Sequence, residues 1–193
     1  MTGRAPEATG PGAEYLAGQR WFGAADRRVR SVVVECAENV VPGVDWLVLA
    51  VAFEDGGPLA HLQLFWDGSR DVAARPDVVA WLLPSLGAAS APVAALPGEQ
   101  SNTSLVVGQD LIVKVFRRLT AERNPDAEAV RQLWEAGFRA VPEPLAESTR
   151  RIDVESLRPP AASAAGAAGG AAGAAAADGA AGEVDLAVAR RFL

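Results

Sequence analysis

The first half of the chain alternates short hydrophobic runs with turn-forming residues. Three runs rich in valine, leucine and aromatic residues predict β-strands at 31–36, 45–53 and 61–66. The Gly-rich segment 54–58 separates the last two runs, which favours a β-hairpin. Pro76 precedes an amphipathic segment and predicts a short helix, because proline fits the first helical turn. This half therefore predicts a small antiparallel sheet accompanied by helices.

The second half continues with three further strands and a helix. Hydrophobic runs predict strands at 93–96, 104–107 and 111–116, with polar turns between them. The helix has a clear start, because Asn124 suits the N-cap and Pro125 suits the first helical position. Gly137 marks its end. An apolar stripe on this helix predicts that one of its faces packs against the sheet.

The remaining segments differ in composition from these elements. Residues 161–182 are almost entirely alanine and glycine, and repeated glycine disfavours helix, so a flexible loop is expected there. The alternating segment 183–189 then predicts one more strand. Residues 1–12 are rich in glycine and proline and predict a disordered tail.

Composition excludes several classes of function. The net charge of −6 argues against nucleic acid or an anionic membrane as the main partner. A single cysteine and a single histidine, Cys36 and His61, leave no disulfide framework, no thiolate metal cluster and little basis for a Ser-His-Asp triad. No secretion signal opens the chain and no apolar run approaches the ~18 residues of a membrane span. A cytoplasmic location is the expectation.

Lys114 is the only lysine, beside seventeen arginines, and it lies within the hydrophobic run 111–116. Strand alternation places Ile112, Lys114 and Phe116 on one face, so the ammonium projects from a partly apolar surface. Such a charge is costly unless it meets an anion or a carboxylate. A strand lysine aimed at nucleotide phosphates occurs in protein-kinase-like folds. The alternative is a lysine on the solvent side of an edge strand.

Four motifs together carry a family resemblance. They occupy residues 19–23 (Gln-Arg-Trp-Phe-Gly), 98–104 (Gly-Glu-Gln-Ser-Asn-Thr-Ser), 111–119 and 124–128. In this order they resemble the N-terminal half of maltokinases, which are ATP-dependent maltose 1-kinases with an aminoglycoside-phosphotransferase-like, protein-kinase-like fold and an extra N-terminal cap. The resemblance covers nearly the whole chain. Two departures are Ala24-Ala25-Asp26, where the family usually has Gly-Lys or Gly-Arg, and the long Ala/Gly tract between the fourth and fifth strands.

The resemblance implies an α+β fold in two units. A tail at 1–12 would precede a cap domain at 13–90 with a curved antiparallel sheet. The small lobe of a kinase-like fold would follow at 91–193 and include the Ala/Gly loop at 161–182. Trp21 and Phe22 are predicted to belong to the cap core, because large aromatic side chains dominate core energetics.

The resemblance also assigns site residues. A phosphate-covering segment would consist of Gln100, Ser101, Asn102, Thr103 and Ser104, although such polar clusters are often simple turns. Lys114 would contact the α- and β-phosphates of ATP, and Glu128 would pair with Lys114; the alternative for Glu128 is a solvated carboxylate on the helix. The strand end at 189–193 would approach the adenine through its backbone.

The implied function is the ATP-binding half of a kinase that converts maltose to maltose 1-phosphate in trehalose and α-glucan metabolism. The resemblance places the catalytic residues, and most of the Mg²⁺ contacts, in a C-terminal lobe that follows the hinge. No catalytic residue or metal ligand is therefore assigned here, and this chain alone is expected to be inactive. One alternative is a kinase for glucosamine or another amino sugar. A second is a non-catalytic module that contacts a trehalose-converting enzyme.

Overall fold

The computed structural model describes residues 9–23, 27–87, 91–98, 101–152, 157 and 182–191. The fold is α+β, as predicted, with two antiparallel sheets and few helices. The first part contains α1 (Ala13–Ala17), a 3₁₀ turn (Arg20–Phe22), β1 (Val29–Val41), β2 (Val44–Phe53), β3 (Ala60–Trp66), α2 (Pro76–Leu82) and a 3₁₀ turn (Pro84–Leu86). The second part contains β4 (Val93–Ala95), β5 (Asn102–Val107), β6 (Leu111–Phe116), β7 (Arg118–Leu119), α3 (Pro125–Glu135), β8 (Glu143–Ile152) and β9 (Gly182–Arg191).

The first sheet has the strand order β1-β2-β3-β7. The predicted hairpin of β2 and β3 is confirmed, with Asp45 opposite Trp66 and Val51 opposite Ala60. β1 is longer at both ends than the predicted strand. It lies at the edge of its sheet, where polar residues such as Glu38 can remain exposed to solvent.

The second sheet has the order β4-β5-β6-β9-β8. The predicted strands in this half are confirmed, whereas β8 had not been located from the sequence. Most side chains of β8 are polar and only partly buried, so the strand lacks a hydrophobic run. Its long antiparallel pairing with β9 supplies the contacts that define it, from Glu143 opposite Arg191 to Ile152 opposite Gly182.

The two sheets share one hydrophobic core. The first sheet contributes Trp46 and Phe65, and the second contributes Leu105, Val115 and Leu186, all at most 1% exposed. β7 also joins the first sheet by pairing with β3, although it follows β6 directly along the chain. The segments predicted as cap and lobe are therefore packed tightly together.

A second core lies on the other face of the first sheet. Trp21 and Phe22 are buried there together with Leu16 and Phe53, which confirms their predicted place in the core. Arg20, between the helix α1 and this aromatic pair, is exposed. No helix in the described part of the chain is long and apolar enough to cross a membrane.

Candidate functional site

The face of β6 that carries Lys114 lies opposite the shared core. Val113 and Val115 are fully buried between the sheets. Phe116 instead packs with Ala127 of α3 and Val188 of β9. Lys114 therefore projects from the same face as Phe116, as the alternation predicted. Its neighbours across the sheet are Ser104 of β5 and Val188 of β9.

The ammonium of Lys114 contacts a carboxylate of α3. Lys114 Nζ lies 3.2 Å from Asp126 Oδ2. The same oxygen accepts a hydrogen bond from Arg190 Nη2 at 3.2 Å, and the backbone carbonyl of Asp126 accepts another at 2.8 Å. Asp126 therefore joins the strand lysine to an arginine of β9, and α3 lies on the Lys114 side of the sheet.

Two side chains fix the first turn of α3. The predicted cap is confirmed, because the Asn124 side chain accepts a hydrogen bond from the backbone N–H of Asp126 at 3.0 Å. The backbone N–H of Asn124 donates to Asp185 Oδ2 at 2.6 Å. Asp185 is a buried residue of β9, so the helix start is tied to the sheet close to Lys114.

Glu128, the predicted partner of Lys114, lies half-buried one half-turn further along α3. Its Oε1 atom accepts a hydrogen bond from Gln132 Nε2 at 2.9 Å. The pairing of Glu128 with Lys114 stays a prediction. Asp126 is an acidic residue in the first turn of α3. Its place on the turn anchored by Asp185 brings it towards the strand.

A cavity of about 190 Å³ opens beside Lys114. Its lining comprises Leu96, Ser104, Ile112, Lys114, Pro142, Arg190 and Arg191. Three of these side chains are apolar and three are cationic, so the cavity offers both a surface for a flat ring and charges for an anion. Arg190 and Arg191 had been considered only as part of a strand end that uses its backbone.

A larger cavity, of about 520 Å³, lies at the junction of β3 and β7. It includes Arg118 and Glu122, whose charges oppose each other. The cavity beside Lys114 is smaller, and its lining has three cations and no acidic side chain, although Arg191 also pairs with Glu143 at 2.6 Å. It is therefore the better candidate for an anionic ligand.

The residues of the predicted phosphate-covering segment have different environments. Gln100 lies outside the described residues, and Ser101 is exposed. The Asn102 amide donates to Ser101 Oγ at 3.3 Å. Ser104 is buried and lines the cavity with Lys114. Thr103 lies on the other face of β5, where its hydroxyl accepts a hydrogen bond from Arg117 Nε at 2.8 Å.

The structure therefore brings Ser104 and Lys114 together, while the Thr103 hydroxyl faces the space between the sheets. The strand end at 189–191 borders the cavity through two arginine side chains, and 192–193 lie outside the described residues. Within the described ranges, no group of three or more histidine, cysteine or acidic side chains could hold a metal ion. The assignment of Mg²⁺ contacts elsewhere stays a prediction.

Comparison with known proteins finds solved structures at low sequence identity. No family model matches the sequence. A glucosamine kinase structure in one crystal form aligns with a TM-score of 0.47 and 19% identity, covering 98% of this chain and 42% of that one. A second crystal form of glucosamine kinase aligns with a TM-score of 0.46 and 20% identity, covering 94% of this chain and 40% of that one. The chain thus spans about two fifths of the length of these kinase structures.

Proposed function

We propose that this chain is the ATP-binding part of a sugar kinase. The observation that carries the proposal is the environment of Lys114. A strand lysine lies beside Ser104, contacts a carboxylate of the following helix and lines a cavity with apolar walls and two arginines. Kinase-like folds use such a lysine, in such contact with a helix carboxylate, to bind the α- and β-phosphates of ATP.

The side chains of this cavity suit the parts of ATP. Leu96, Ile112 and Pro142 provide apolar surfaces against which an adenine ring can pack. Lys114 provides an ammonium with three donors, so it can keep its contact with Asp126 while it binds phosphate oxygens. ATP supplies the phosphoryl group, and this chain's residues orient the nucleotide. Mg²⁺ would be held mainly by groups outside the chain.

Maltose is the proposed acceptor, because the four sequence motifs together resemble those of maltokinases. An amino sugar such as glucosamine is the alternative acceptor. Transfer requires an aspartate beside the attacking sugar hydroxyl. The sequence contains no His-x-Asp catalytic-loop motif, because its single histidine is followed by Leu62 and Gln63. We therefore assign nucleotide binding to this chain and sugar binding to the longer enzyme.

Nucleotide titration tests the proposal. A fluorescent ATP analogue should bind the chain, and Lys114→Ala should weaken binding about tenfold or more, since hydrogen bonds to charged groups are strong. Arg131→Ala is the control, because Arg131 is a cation of α3 that pairs with Glu135 and does not line the cavity. Equal affinities of all three proteins, or no binding by any, would contradict the assignment.

A phosphoryl-transfer assay tests whether this chain binds nucleotide without catalysing transfer. With ATP and either maltose or glucosamine, the chain alone should release no sugar phosphate. Turnover that disappears in Lys114→Ala would mean that the chain completes its own catalytic site. Binding without turnover is also the result expected of a non-catalytic module. Detection of phosphoryl transfer by a longer form of the protein would exclude that alternative.

A further inference from the structure

Arg117 directly follows β6 and is a buried cation, since only 2% of its side chain is exposed. Its Nη1 and Nη2 atoms donate to the two oxygens of Asp71 at 3.0 and 2.5 Å. Its Nε donates to the Thr103 hydroxyl at 2.8 Å. The Trp21 ring covers the guanidinium, with its centroid 4.9 Å from Cζ. One side chain therefore connects the first sheet, the aromatic motif and the start of β5.

Asp71 is itself held firmly. The backbone N–H of Phe65 donates to Asp71 Oδ1 at 3.0 Å. The backbone N–H of Asp71 donates to the hydroxyl of Tyr15 in α1 at 2.7 Å. A planar guanidinium gripped by two carboxylate oxygens has little freedom, so its remaining Nε–H points in a fixed direction. That direction is towards Thr103.

Thr103 directly precedes Ser104, and strand alternation directs their side chains to opposite faces of β5. A bond that fixes Thr103 from within the core therefore also fixes the backbone from which Ser104 faces Lys114. Ser104 and Lys114 are direct partners across β5 and β6. The network reaches the candidate nucleotide cavity without any of Asp71, Trp21 or Arg117 lining it.

We infer that Arg117 is a positioning residue, which holds the start of β5 in place through Thr103 and is in turn held by Asp71 and Trp21. This inference rests on the proposed nucleotide-binding function. A buried ion pair contributes little net stability compared with well-packed apolar side chains. Its directional hydrogen bonds are what an apolar replacement would lose.

A double-mutant cycle measures this role as a change in nucleotide affinity. Asp71→Asn keeps the size and a hydrogen-bond acceptor but removes the charge that grips Arg117. We expect it to weaken binding of the ATP analogue about fivefold, the lower end of typical coupling between separate sites. In a Thr103→Val background the same change should have less than about a twofold effect, because the connection is already broken. Thr103→Ser should restore the sensitivity.

Two results would overturn the inference. One is an equal effect of Asp71→Asn on affinity in both backgrounds. The other is an unchanged affinity in Asp71→Asn when the wild-type protein binds the nucleotide. Asp77→Asn is the control, because Asp77 of α2 forms a two-contact pair with Arg75, at 2.6 and 3.0 Å, that is more exposed to solvent and lies outside the cavity lining. It should leave the affinity unchanged.

Hydrogen exchange separates failure of this inference from failure of the proposed function. If the wild-type chain binds no nucleotide, the proposed function is wrong, but exchange at the amides of 102–106 still reports on positioning. Asp71→Asn and Thr103→Val should each accelerate exchange there, and the double variant should add nothing further. Unchanged exchange in Asp71→Asn would overturn the inference, and so would additive acceleration. Thr103→Val keeps the ion pair between Arg117 and Asp71. Its exchange rates therefore remain interpretable if Asp71→Asn lowers overall stability.

Discussion

At the scale of single residues, Asp126 is the carboxylate that contacts both Lys114 and Arg190. The contact with Asp126 restricts the position of the Lys114 ammonium beside the cavity before a phosphate arrives. Asp126 and Lys114 are each partly exposed, so their contact is of the modest kind found near protein surfaces. Its value for function would lie in orientation more than in stability.

Paired substitutions identify the carboxylate that supports Lys114. Asp126→Asn should weaken binding of the ATP analogue about two- to fivefold, as expected for loss of a partly exposed ion pair. Glu128→Gln should have a smaller effect, because Glu128 bonds Gln132 on its own helix. Both variants keep the side-chain size. A larger loss with Glu128→Gln in the titration would restore the partner that the sequence predicted.

His61 allows a prediction about pH. It is buried at the β3–β7 junction, and burial lowers its pKa, with Arg118 lowering it further and Glu35 at 3.4 Å raising it. Between its folded pKa and about 6.5, the unfolded chain binds a proton that the folded chain does not. Stability should therefore fall as pH decreases below about 6.5. His61→Gln should reduce the dependence of the free energy of unfolding on pH in this range, as measured by urea unfolding at several pH values.

The slope attributable to His61 is at most about 1.4 kcal/mol per pH unit, because one proton is involved. Measurements between pH 7 and 5.5 are the most informative, since the carboxyl groups of Asp55 and Asp67 have pKa values of about 2 and titrate far lower. An unchanged slope in His61→Gln would show that another group controls stability in this range.

Side-chain direction on one strand was predictable, whereas partners from distant segments were not. The face of Lys114 follows from the two-residue period of a strand, which is a local property. The bond between Asp71 and Arg117 joins positions far apart in sequence and depends on how the two sheets pack. His61 is likewise buried beside β7, a strand that is distant in the sequence.

At the scale of elements, α3 shows how a local signal and a distant contact act together. Asn124 and Pro125 are sufficient to predict where the helix begins. The bond from the Asn124 backbone to Asp185 then determines where that beginning lies on the sheet. Few of its side chains are deeply buried, with Ala127 the one below 9% exposure among its described residues. The first turn of α3 is therefore important for the attachment of this helix to the sheet.

Removal of the cap tests this attachment. Asn124→Ala should lower the free energy of unfolding by about 1 kcal/mol, because the backbone N–H of Asp126 loses its acceptor. Asn124→Ser should retain most of the stability, since serine caps helices about as well. Urea unfolding measures both variants. Equal losses would mean that the amide of Asn124 contributes by some contact other than the cap.

The strands that the sequence missed or shortened share one property, which is a lack of buried hydrophobic side chains. β8 is polar, and its pairing with β9 comes from backbone hydrogen bonds whose partner lies beyond residues 153–181. β1 extends through residues that are exposed or only partly buried at a sheet edge. In contrast, β2 is buried along nearly its whole length and was predicted almost to the residue.

At the scale of the whole molecule, two sheets enclose one core, the first built from the first half of the sequence plus β7 and the second from the second half. β9 lies between β6 and β8 and contributes Val184, Leu186, Ala187 and Ala189 to that core. The chain therefore has to return after residues 153–181 to complete the second sheet. The pairing of Ile152 with Gly182 brings the two ends of that connection side by side.

The expected loop at 161–182 lies outside the described residues except for Gly182, the first residue of β9, but the paired strands on either side predict the effect of shortening it. Deleting 164–181 leaves 153–163, which is still longer than the two to five residues of a common hairpin loop. Closure entropy depends weakly on length, so the free energy of unfolding should rise by no more than about 1 kcal/mol. Leu186→Ala, in the fully buried centre of β9, should instead cost about 2–5 kcal/mol. Urea unfolding compares the two, and a loss in the deletion variant approaching that of Leu186→Ala would show that the tract packs against the folded protein.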